Sequence, residues 1–590
     1  MLKNFFISML GALAAFWISI MLIFILGIIF AAGAVVSAIT GMEQGVDIQD
    51  GSVLVIPLSG TIAERQSNME FASLLTNEPK AASLESIIDA IAAARNDDRI
   101  KGIYLDCYGS SAGTATRQAI REALADFRKD GKWIVAYADN YTQGDYYIAS
   151  VADNIFLNPI GAVDLRGLAT MTPFFKGLLD KVGVEMQVVK VGTYKSAVEP
   201  YILTSMSEPS RRQTEIFLNS IWGNITSAIS ESRGIKVENL NLWADSMISI
   251  TGDAKVFVEN KMVDDLKYSH EVRDFLKEKL SVSEDDDLPS IGYDSYVTGA
   301  KIPNRKSNKN KIAVYYAFGD IVDSGREGIS AEQMVPDIID IADDDDIKAM
   351  VLRVNSGGGS AFASEQIWEA LEYFKSKGKK LYVSMGDYAA SGGYYISCGA
   401  DKIYAQPNTL TGSIGIFGLI PCVKPLTEKV GVSFDFVSTN ANAAFPVITE
   451  LMTPSQRAAM QKAINNGYEL FTKRCADGRH IPQDSIKTIG EGRVWDGSMA
   501  KQIGLVDELG SLSSTVKALA SAMKYTKYEV VSYPNPRKSF WDFMSEFDGQ
   551  MKARALREEL GPLMPLYEEY NYIRTMAPVQ ARIPMMITLD

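Results

Sequence analysis

The residues of this chain that could carry chemistry, a serine and a lysine, are divided between two copies of one sequence unit. Three fragments align at a single offset of 248 positions, which are residues 132–133 with 380–381, 144–148 with 392–396, and 182–184 with 430–432. At that offset Ser391 of the second copy corresponds to Gln143 of the first, whereas Lys195 of the first corresponds to Ala443 of the second. Each copy keeps the residue that the other has lost, which predicts a Ser/Lys pair shared between two lobes.

Ser391 follows a strand predicted at residues 381–385 and precedes two glycines and an apolar segment. A serine in this place lies at a helix N-terminus, where the dipole and free N–H groups stabilise developing negative charge. A helix-capping serine would fit the same position, and the local sequence does not separate the two roles. The paired repeat and a glycine loop at residues 356–360, which leaves backbone amides uncovered, favour a nucleophile.

Lys195 lies in the segment Thr-Tyr-Lys-Ser-Ala-Val. A lysine amine accepts a proton from a serine hydroxyl only when it is neutral, so burial would have to lower its pKa from about 10.4 to roughly 7 or 8. The apolar neighbours Ala197 and Val198 are compatible with such burial. Lys190 is close enough along the chain to be a competing candidate.

Composition excludes several classes of protein. The 590 residues carry a net charge of −13, which argues against a nucleic-acid partner. The 4 cysteines are far apart and form no CxxC pair, so they indicate buried free thiols and neither a zinc site nor a disulfide framework. With only 2 histidines, neither beside a serine motif, a Ser-His-Asp hydrolase is not indicated.

Residues 5–39 contain no charged side chain, and about 20 apolar residues are enough to span a bilayer. This pattern predicts a transmembrane anchor in residues 1–45, with a cleaved signal peptide as the alternative. Lys3 precedes the span, whereas Glu43, Asp47 and Asp50 follow it. The charge bias places the N-terminus in the cytoplasm and the remainder of the chain outside it.

After the anchor, strands and helices alternate in both copies, which predicts parallel sheets with crossover helices. In the second copy the predicted strands are residues 312–316, 349–354 and 381–385. A polar, breaker-rich stretch indicates a boundary near residues 290–310. We therefore expect an N-terminal lobe at 46–300, a C-terminal lobe at 301–532 and a helical extension at 533–590.

Several spaced motifs, taken together, resemble the long, duplicated form of the signal peptide peptidase A family of Ser/Lys-dyad proteases. They are Tyr-Lys-Ser-Ala at 194–197, Arg-Val-Asn-Ser-Gly-Gly-Gly at 353–359, Ala-Ser-Gly-Gly-Tyr-Tyr at 390–395, Leu-Thr-Gly-Ser-Ile-Gly at 410–415, Gly-Arg-Val-Trp at 492–495 and Gly-Leu-Val-Asp at 504–507. The resemblance covers about residues 50 to 530. It implies an α/β fold of two tandem lobes, similar to Clp protease and crotonase and built of repeated β-β-α units, behind the N-terminal transmembrane helix.

The resemblance also implies roles for single residues. Ser391 would be the nucleophile and Lys195 the general base and acid, while the backbone N–H groups of Gly358 and Gly392 would form the oxyanion hole. Ser413 would orient the lysine amine, although a turn serine fits its position equally well. The family usually has proline where Gly357 stands, so the glycine loop departs from the pattern there.

The function implied is a membrane-anchored serine endopeptidase that degrades cleaved signal peptides and other unstructured peptides. Its site would lie on the extracytoplasmic side of the bacterial inner membrane, in a homo-oligomer that is tetrameric in long forms. Neither a metal nor a nucleotide cofactor is implied. Two alternatives stay open: a crotonase-like acyl-CoA enzyme, which would use carboxylates as acid and base, and a non-catalytic membrane scaffold.

Overall fold

A computed structural model describes residues 48–65, 82–299, 308–325, 328–534 and 579–583, with isolated positions at 9, 11, 16, 17, 21, 556, 559–561, 564 and 567. The predicted anchor in residues 1–45 lies, apart from a few of these positions, outside the described residues. So does the predicted boundary between the lobes at residues 300 and 301. In the described part of the chain, no helix combines the length and the apolar character needed to cross a bilayer.

The first lobe is built on a parallel sheet with the strand order β2-β1-β3-β4-β5-β7, and β8 pairs with β1 along residues 53–55. The strands in this half of the chain are β1 (Ser52–Ala63), β2 (Ala82–Ser83), β3 (Ile100–Ser111), β4 (Trp133–Ala138), β5 (Asn154–Leu157), β6 (Glu185–Lys190), β7 (Asp265–Leu266) and β8 (Ser290–Gly292). The central strands β1, β3 and β4 are largely buried because helices cover both faces of the sheet.

The helices of this half are α1 (Leu84–Arg95), α2 (Thr114–Lys129), α3 (Gln143–Ala149), α4 (Lys176–Val182), α5 (Glu199–Ile202), α6 (Glu208–Arg233), α7 (Val237–Asp245), α8 (Ile248–Thr251), α9 (Lys255–Glu259), α10 (Ser269–Leu280) and α11 (Tyr293–Gly299). Side-chain caps define several of their beginnings. Ser83 accepts a hydrogen bond from the N–H of Ser86 at the start of α1, and Ser207 accepts one from Ser210 at the start of α6.

The second lobe repeats this plan with the strands β9 (Lys311–Phe318), β10 (Ile321–Val322), β11 (Ile329–Ser330), β12 (Ile347–Ser356), β13 (Gly358–Ser360), β14 (Lys380–Ala390), β15 (Lys402–Ala405), β16 (Leu410–Gly412), β17 (Phe417–Cys422), β18 (Val494–Asp496), β19 (Glu508–Leu509), β20 (Glu529–Tyr533) and β21 (Val579–Arg582). The path β9-β12-β14-β15-β19 matches β1-β3-β4-β5-β7 of the first lobe, and β20 pairs with β9 as β8 does with β1. The duplication predicted from the sequence offset is therefore visible in the topology.

The helices of the second half are α12 (Ala331–Asp343), α13 (Ala361–Ser376), α14 (Gly392–Tyr395), α15 (Lys424–Lys429), α16 (Pro454–Arg479), α17 (Gln483–Ile489), α18 (Gly497–Gln502) and α19 (Leu512–Ala522). Cys107, Cys398, Cys422 and Cys475 are buried free thiols, as predicted. The predicted helical extension after residue 533 includes helical positions but also the strand β21, which the sequence analysis did not anticipate.

A third sheet joins the two halves, with the order β11-β10-β13-β21-β17-β6. Strand β6 of the first half is antiparallel to β17 of the second along six residue pairs, from Phe417 with Lys190 to Cys422 with Glu185. This pairing carries the chain that follows β6, including Lys195, onto the second lobe.

Buried polar groups also connect the two lobes. The Arg353 guanidinium donates to both carboxylate oxygens of Glu64, at 3.0 and 2.8 Å, and both side chains are almost fully buried. Asp387 accepts hydrogen bonds from the backbone N–H and the hydroxyl of Thr116, at 2.9 and 2.6 Å. Because a buried charge needs such partners, these contacts specify how the lobes dock.

Candidate active site

Ser391 lies at the junction between β14 and α14 in an unusual backbone conformation. Its φ is 57° and its ψ is −112°, which few residues other than glycine adopt. The Ser391 N–H donates to the carbonyl oxygen of Gly412 at 2.7 Å, which helps to hold the turn. Its side chain makes no capping hydrogen bond to α14, so the hydroxyl is not used as a helix cap. Strain of this kind is concentrated at functional sites.

The Lys195 amine lies beside this hydroxyl, with 2.7 Å between Nζ and Oγ of Ser391. Two further oxygens contact Nζ, both from Ser413: the hydroxyl at 3.1 Å and the backbone carbonyl at 3.2 Å. A neutral amine has two N–H bonds and one lone pair. If the two oxygens of Ser413 accept hydrogen bonds from both N–H groups, the lone pair of the amine points at the Ser391 hydroxyl.

Burial makes the neutral form of this lysine accessible. Lys195 is 1% exposed, and removal of its ammonium from water lowers its pKa well below the usual range. No carboxylate among the described residues contacts Nζ to offset this effect. The amine is therefore neutral, and able to accept a proton, at a lower pH than an exposed lysine.

Glycines allow the segment that carries the lysine to lie against the second lobe. A Cβ on Gly192 would lie 2.4 Å from the carbonyl oxygen of Glu491, and a Cβ on Gly492 would lie 2.7 Å from Cβ of Lys195. The Tyr194 N–H donates to the carbonyl oxygen of Glu491 at 2.9 Å. The backbone around Lys195 and the backbone around Glu491 thus approach more closely than residues with a side chain at positions 192 and 492 would permit.

Gln213 of α6 is a positioning residue that the sequence analysis missed. Its amide nitrogen donates to the Tyr194 carbonyl and to the Ser196 hydroxyl, each at 3.2 Å, on either side of the lysine. Its amide oxygen accepts from the N–H of Val494 in the second lobe at 3.1 Å. A single glutamine inside an amphipathic helix carries no local signal for this bridge, which spans 281 positions of the sequence.

Lys190, the competing candidate, does not contact Ser391. Its amine donates to the backbone carbonyl oxygen of Lys195 at 3.3 Å, and its side chain is partly exposed. It supports the lysine segment from outside the site.

The glycine loop lies on the other side of Ser391. Gly358 and Gly392 are neighbours, since a Cβ on Gly392 would lie 3.2 Å from Cα of Gly358. Gly358 has a φ of 103°, which favours glycine, and its N–H donates to the Ser356 hydroxyl at 3.1 Å. The amide of Gly358 is therefore engaged within the loop in this conformation. Gly357 contributes its carbonyl oxygen to the N–H of Ile583 at 2.9 Å.

In the first lobe, the segment that corresponds to the Ser391 turn carries polar side chains that bind neighbouring backbone groups. The Asp145 carboxylate accepts from the backbone N–H groups of Gly109 and Ser110, at 3.0 and 3.1 Å, and contacts the buried Arg117 guanidinium at 3.2 Å. The Gln143 amide oxygen accepts from the N–H of Gly167 at 2.9 Å. At the offset of 248 positions, Gln143 and Asp145 correspond to Ser391 and Gly393, so the first lobe has an amide and a carboxylate where the second has its serine and a glycine.

No cluster of three or more potential metal-ligating side chains occurs in the parts of the chain that the structure describes. The polar contacts at the site are those of an amine, two hydroxyls and backbone groups. The arrangement suits nucleophilic acyl transfer, in which a serine attacks a carbonyl and a nearby base takes its proton.

Two protein-family models, both of proteases, match parts of this chain. The model of peptidase family S49 matches residues 126–283, which include Lys195, and residues 373–526, which include Ser391. The model of the Clp protease family matches residues 322–411.

Three relatives match most of the chain. Protease 4 of Haemophilus influenzae is 35% identical over 514 residues, which is 84% of this chain and 83% of that protein. Protease 4 of Salmonella typhi is 37% identical over 530 residues, covering 87% and 85%. The chloroplastic serine protease SPPA of Arabidopsis thaliana is 30% identical over 510 residues, covering 84% and 73%.

Proposed function

The chain belongs to peptidase family S49, as a long serine protease that carries the family's domain twice, and we propose that it hydrolyses peptide bonds through a dyad of Ser391 and Lys195. The observation that carries this proposal is the 2.7 Å separation between the Ser391 hydroxyl and a buried amine with a lowered pKa. Each lobe contributes one of the two groups, so neither lobe would be active alone.

In the first step, Oγ of Ser391 attacks the carbonyl carbon of the scissile bond while its proton moves to Nζ of Lys195. The two oxygens of Ser413 accept hydrogen bonds from the two N–H groups of the neutral amine. This keeps the lone pair of the amine directed at the Ser391 hydroxyl. The resulting ammonium then protonates the leaving amine as the peptide C–N bond breaks. A water molecule hydrolyses the acyl-enzyme through the same base, and Ser391 is restored.

The oxyanion of the tetrahedral intermediate would be stabilised by backbone amides at the glycine loop and at α14. Gly392 directly follows the nucleophile, and Gly358 lies against it. Because the Gly358 N–H donates to the Ser356 hydroxyl in this conformation, it would have to rotate to take part. Each such donor contributes roughly 3 kcal/mol to the transition state in other hydrolases.

Extended, unstructured peptides are the substrates that we propose, including cleaved signal peptides. Strands β13 and β17 both pair with β21, and a peptide could pair with either strand in its place only when it is extended. A relative named putative signal peptide peptidase SppA, from Enterococcus faecium, is 30% identical over 256 residues, which is 41% of this chain and 72% of that protein.

Anchoring, sidedness and assembly are further parts of the proposal. Residues 1–45 would form a single-pass anchor in the bacterial inner membrane, with lobes at 46–300 and 301–532 on the extracytoplasmic side. The uncharged run at 5–39 and the charges that flank it support this arrangement. A homotetramer would restrict access of folded proteins to the site.

A serine-directed acylating probe tests the mechanism. We expect the wild-type chain to be labelled and to cleave unstructured peptides, and Ser391→Ala to lose both activities. A crotonase-like acyl-CoA enzyme would need carboxylates at its centre, and none among the described residues contacts Ser391 Oγ or Lys195 Nζ. Equal labelling of wild-type and Ser391→Ala chains would rule out the proposed nucleophile.

A further inference from the structure

A cavity of about 690 Å³ lies between the two lobes and is separate from the Ser391 site. Helices α1 and α2 of the first lobe line it on one side, and β9, β20 and α19 of the second lobe line it on the other. Most of the lining is apolar and includes Ile88, Ile91, Ala123, Val314, Val516 and Val530. A cavity of this size and character can enclose a small organic molecule.

The polar part of the cavity contains hydrogen-bond acceptors that lack donors. Gln406 lines the cavity and is 0% exposed. Its Nε2 donates to the Glu122 carboxylate at 3.3 Å, whereas its Oε1 has no hydrogen-bond partner in the described part of the chain. Gln118, one turn before Glu122 on α2, has the same arrangement: Nε2 donates to the other carboxylate oxygen at 3.2 Å, and the buried Oε1 is again without a partner among the residues described. Buried acceptors without a donor are costly and rare.

The Glu122 carboxylate also lacks a cation. Burial raises the pKa of Glu122, and the side chains that donate to it are neutral amides. The cations that line the cavity are paired elsewhere or face solvent: Arg95 pairs with Asp130, Lys129 with Asp126 and Arg353 with Glu64, and Lys517 is exposed. The polar part of the cavity therefore has room for a donor and for a positive charge.

A primary ammonium group supplies both. It carries three N–H donors and one positive charge, and its hydrogen bonds to a carboxylate are stronger than those of a neutral donor. A carboxylate ligand would be repelled by Glu122, and an alcohol would bring a single donor without charge. The apolar lining suits a hydrocarbon body attached to the ammonium.

We propose that the cavity between the lobes binds an apolar molecule with a primary ammonium, which donates to the Glu122 carboxylate and to Oε1 of Gln406. This inference goes beyond the proposed function and does not depend on it. Because both lobes line the cavity, an occupant contacts both and stabilises the folded chain in proportion to its concentration and affinity.

Three compounds that share one hydrocarbon body and differ in their polar group test the proposal: 4-phenylbutylamine, 4-phenylbutanol and 4-phenylbutyrate. Their binding to the full-length chain in a nonionic detergent is measured by calorimetry, with detergent alone as the blank. We expect one molecule of the amine to bind per chain and to raise Tm. The alcohol should bind about tenfold more weakly because it forms no charge-assisted hydrogen bond, and the carboxylate should not bind.

Substitutions in α2 locate the site. Glu122→Gln keeps the size of the side chain and removes its charge, so Kd for the amine should rise about tenfold or more. Asp126→Asn is the matched control, because Asp126 lies one turn further along α2, lines the same cavity and is already paired with Lys129. Its Kd should stay within about twofold of wild type. Ala123→Phe places a ring in the apolar part of the cavity and should abolish binding.

Four results would overturn the inference. Equal affinity for the three compounds would show that the polar groups select nothing, and equal weakening by Glu122→Gln and Asp126→Asn would indicate attraction to negative charge in general. Unchanged binding in Ala123→Phe would place the amine elsewhere, and the absence of any binding would leave the cavity to ordered water. The proposed peptidase is tested separately, because Lys195→Met should keep its affinity for the amine while it loses peptide cleavage.

Discussion

Replacement of Lys195 by methionine isolates the role of the buried amine. Methionine keeps an unbranched apolar side chain of similar length, so packing is largely retained while the base is lost. General-base catalysis contributes about 10²- to 10⁴-fold, which corresponds to roughly 3–5 kcal/mol of transition-state stabilisation. We expect kcat/KM for an unstructured peptide to fall by about this factor. Lys195→Ala should lose at least as much, since it also leaves a cavity.

Lys190→Ala is the matched control, because Lys190 lies five positions away and its amine donates to the Lys195 backbone carbonyl oxygen. Its kcat/KM should stay within a few-fold of wild type. Both variants are measured by peptide cleavage and by the rate of labelling with a serine-directed probe. Loss of activity in Lys190→Ala together with retention in Lys195→Met would refute the assignment of the base.

The pH dependence gives a second readout of the same group. Burial lowers the folded-state pKa of Lys195 below its unfolded value of about 10.4. Below the folded pKa the amine is protonated, so kcat/KM should fall tenfold for each further pH unit. Between the folded and unfolded values, the unfolded chain binds one more proton than the folded chain, so stability rises with pH across that window.

Lys195→Met removes this titration. In urea unfolding, we expect the variant to be more stable than wild type in the lower part of the window and to lose the corresponding slope. An unchanged slope would show that the lysine is not deprotonated on folding.

Three further substitutions, one of them with a matched control, probe the surroundings of the site. Ser413→Ala removes one of the acceptors that orient the Lys195 amine and should lower kcat about 3- to 10-fold, the equivalent of about 1 kcal/mol. An unchanged kcat would show that Ser413 serves only the turn in which it lies. Gly492→Ala places a Cβ 2.7 Å from Cβ of Lys195 and should lower kcat/KM strongly, whereas Gly431→Ala has a similar φ, 77° against 76°, with open space around it and should not. Gln143→Ser, made in a chain whose nucleophile is alanine, should not restore probe labelling, because a carboxylate fills that site; labelling there would show that the first lobe can be reactivated.

The duplication could be predicted from the sequence because it leaves a constant offset along the chain. The same offset paired Ser391 with Gln143 and Lys195 with Ala443, so complementary loss was visible before any contact was known. Strand and helix order followed from local apolar patterns, which depend on neighbouring residues. Boundaries were less accurate: the strand predicted at residues 381–385 is β14, Lys380–Ala390, because buried pairing continues up to the serine.

Contacts between segments that are far apart in the chain left no recognisable pattern in the sequence. Gln213 holds the lysine segment through bonds to residues on both lobes, and nothing in its neighbourhood distinguishes it from an ordinary helical glutamine. Strand β21 lies in a region predicted to be helical, and its strand conformation depends on pairing with the distant strands β13 and β17.

The sequence by itself therefore determined that this protein has two related lobes, one with a serine and the other with a lysine that its counterpart lacks. Only the tertiary structure decided that the two side chains meet, 196 positions apart in the sequence and 2.7 Å apart in space. That contact depends on the pairing of β6 with β17 and on the close backbone approach at Gly492. Residue type and spacing specify what chemistry a group can perform, whereas burial and distance, which lower the pKa and align the atoms, arise only when the lobes pack.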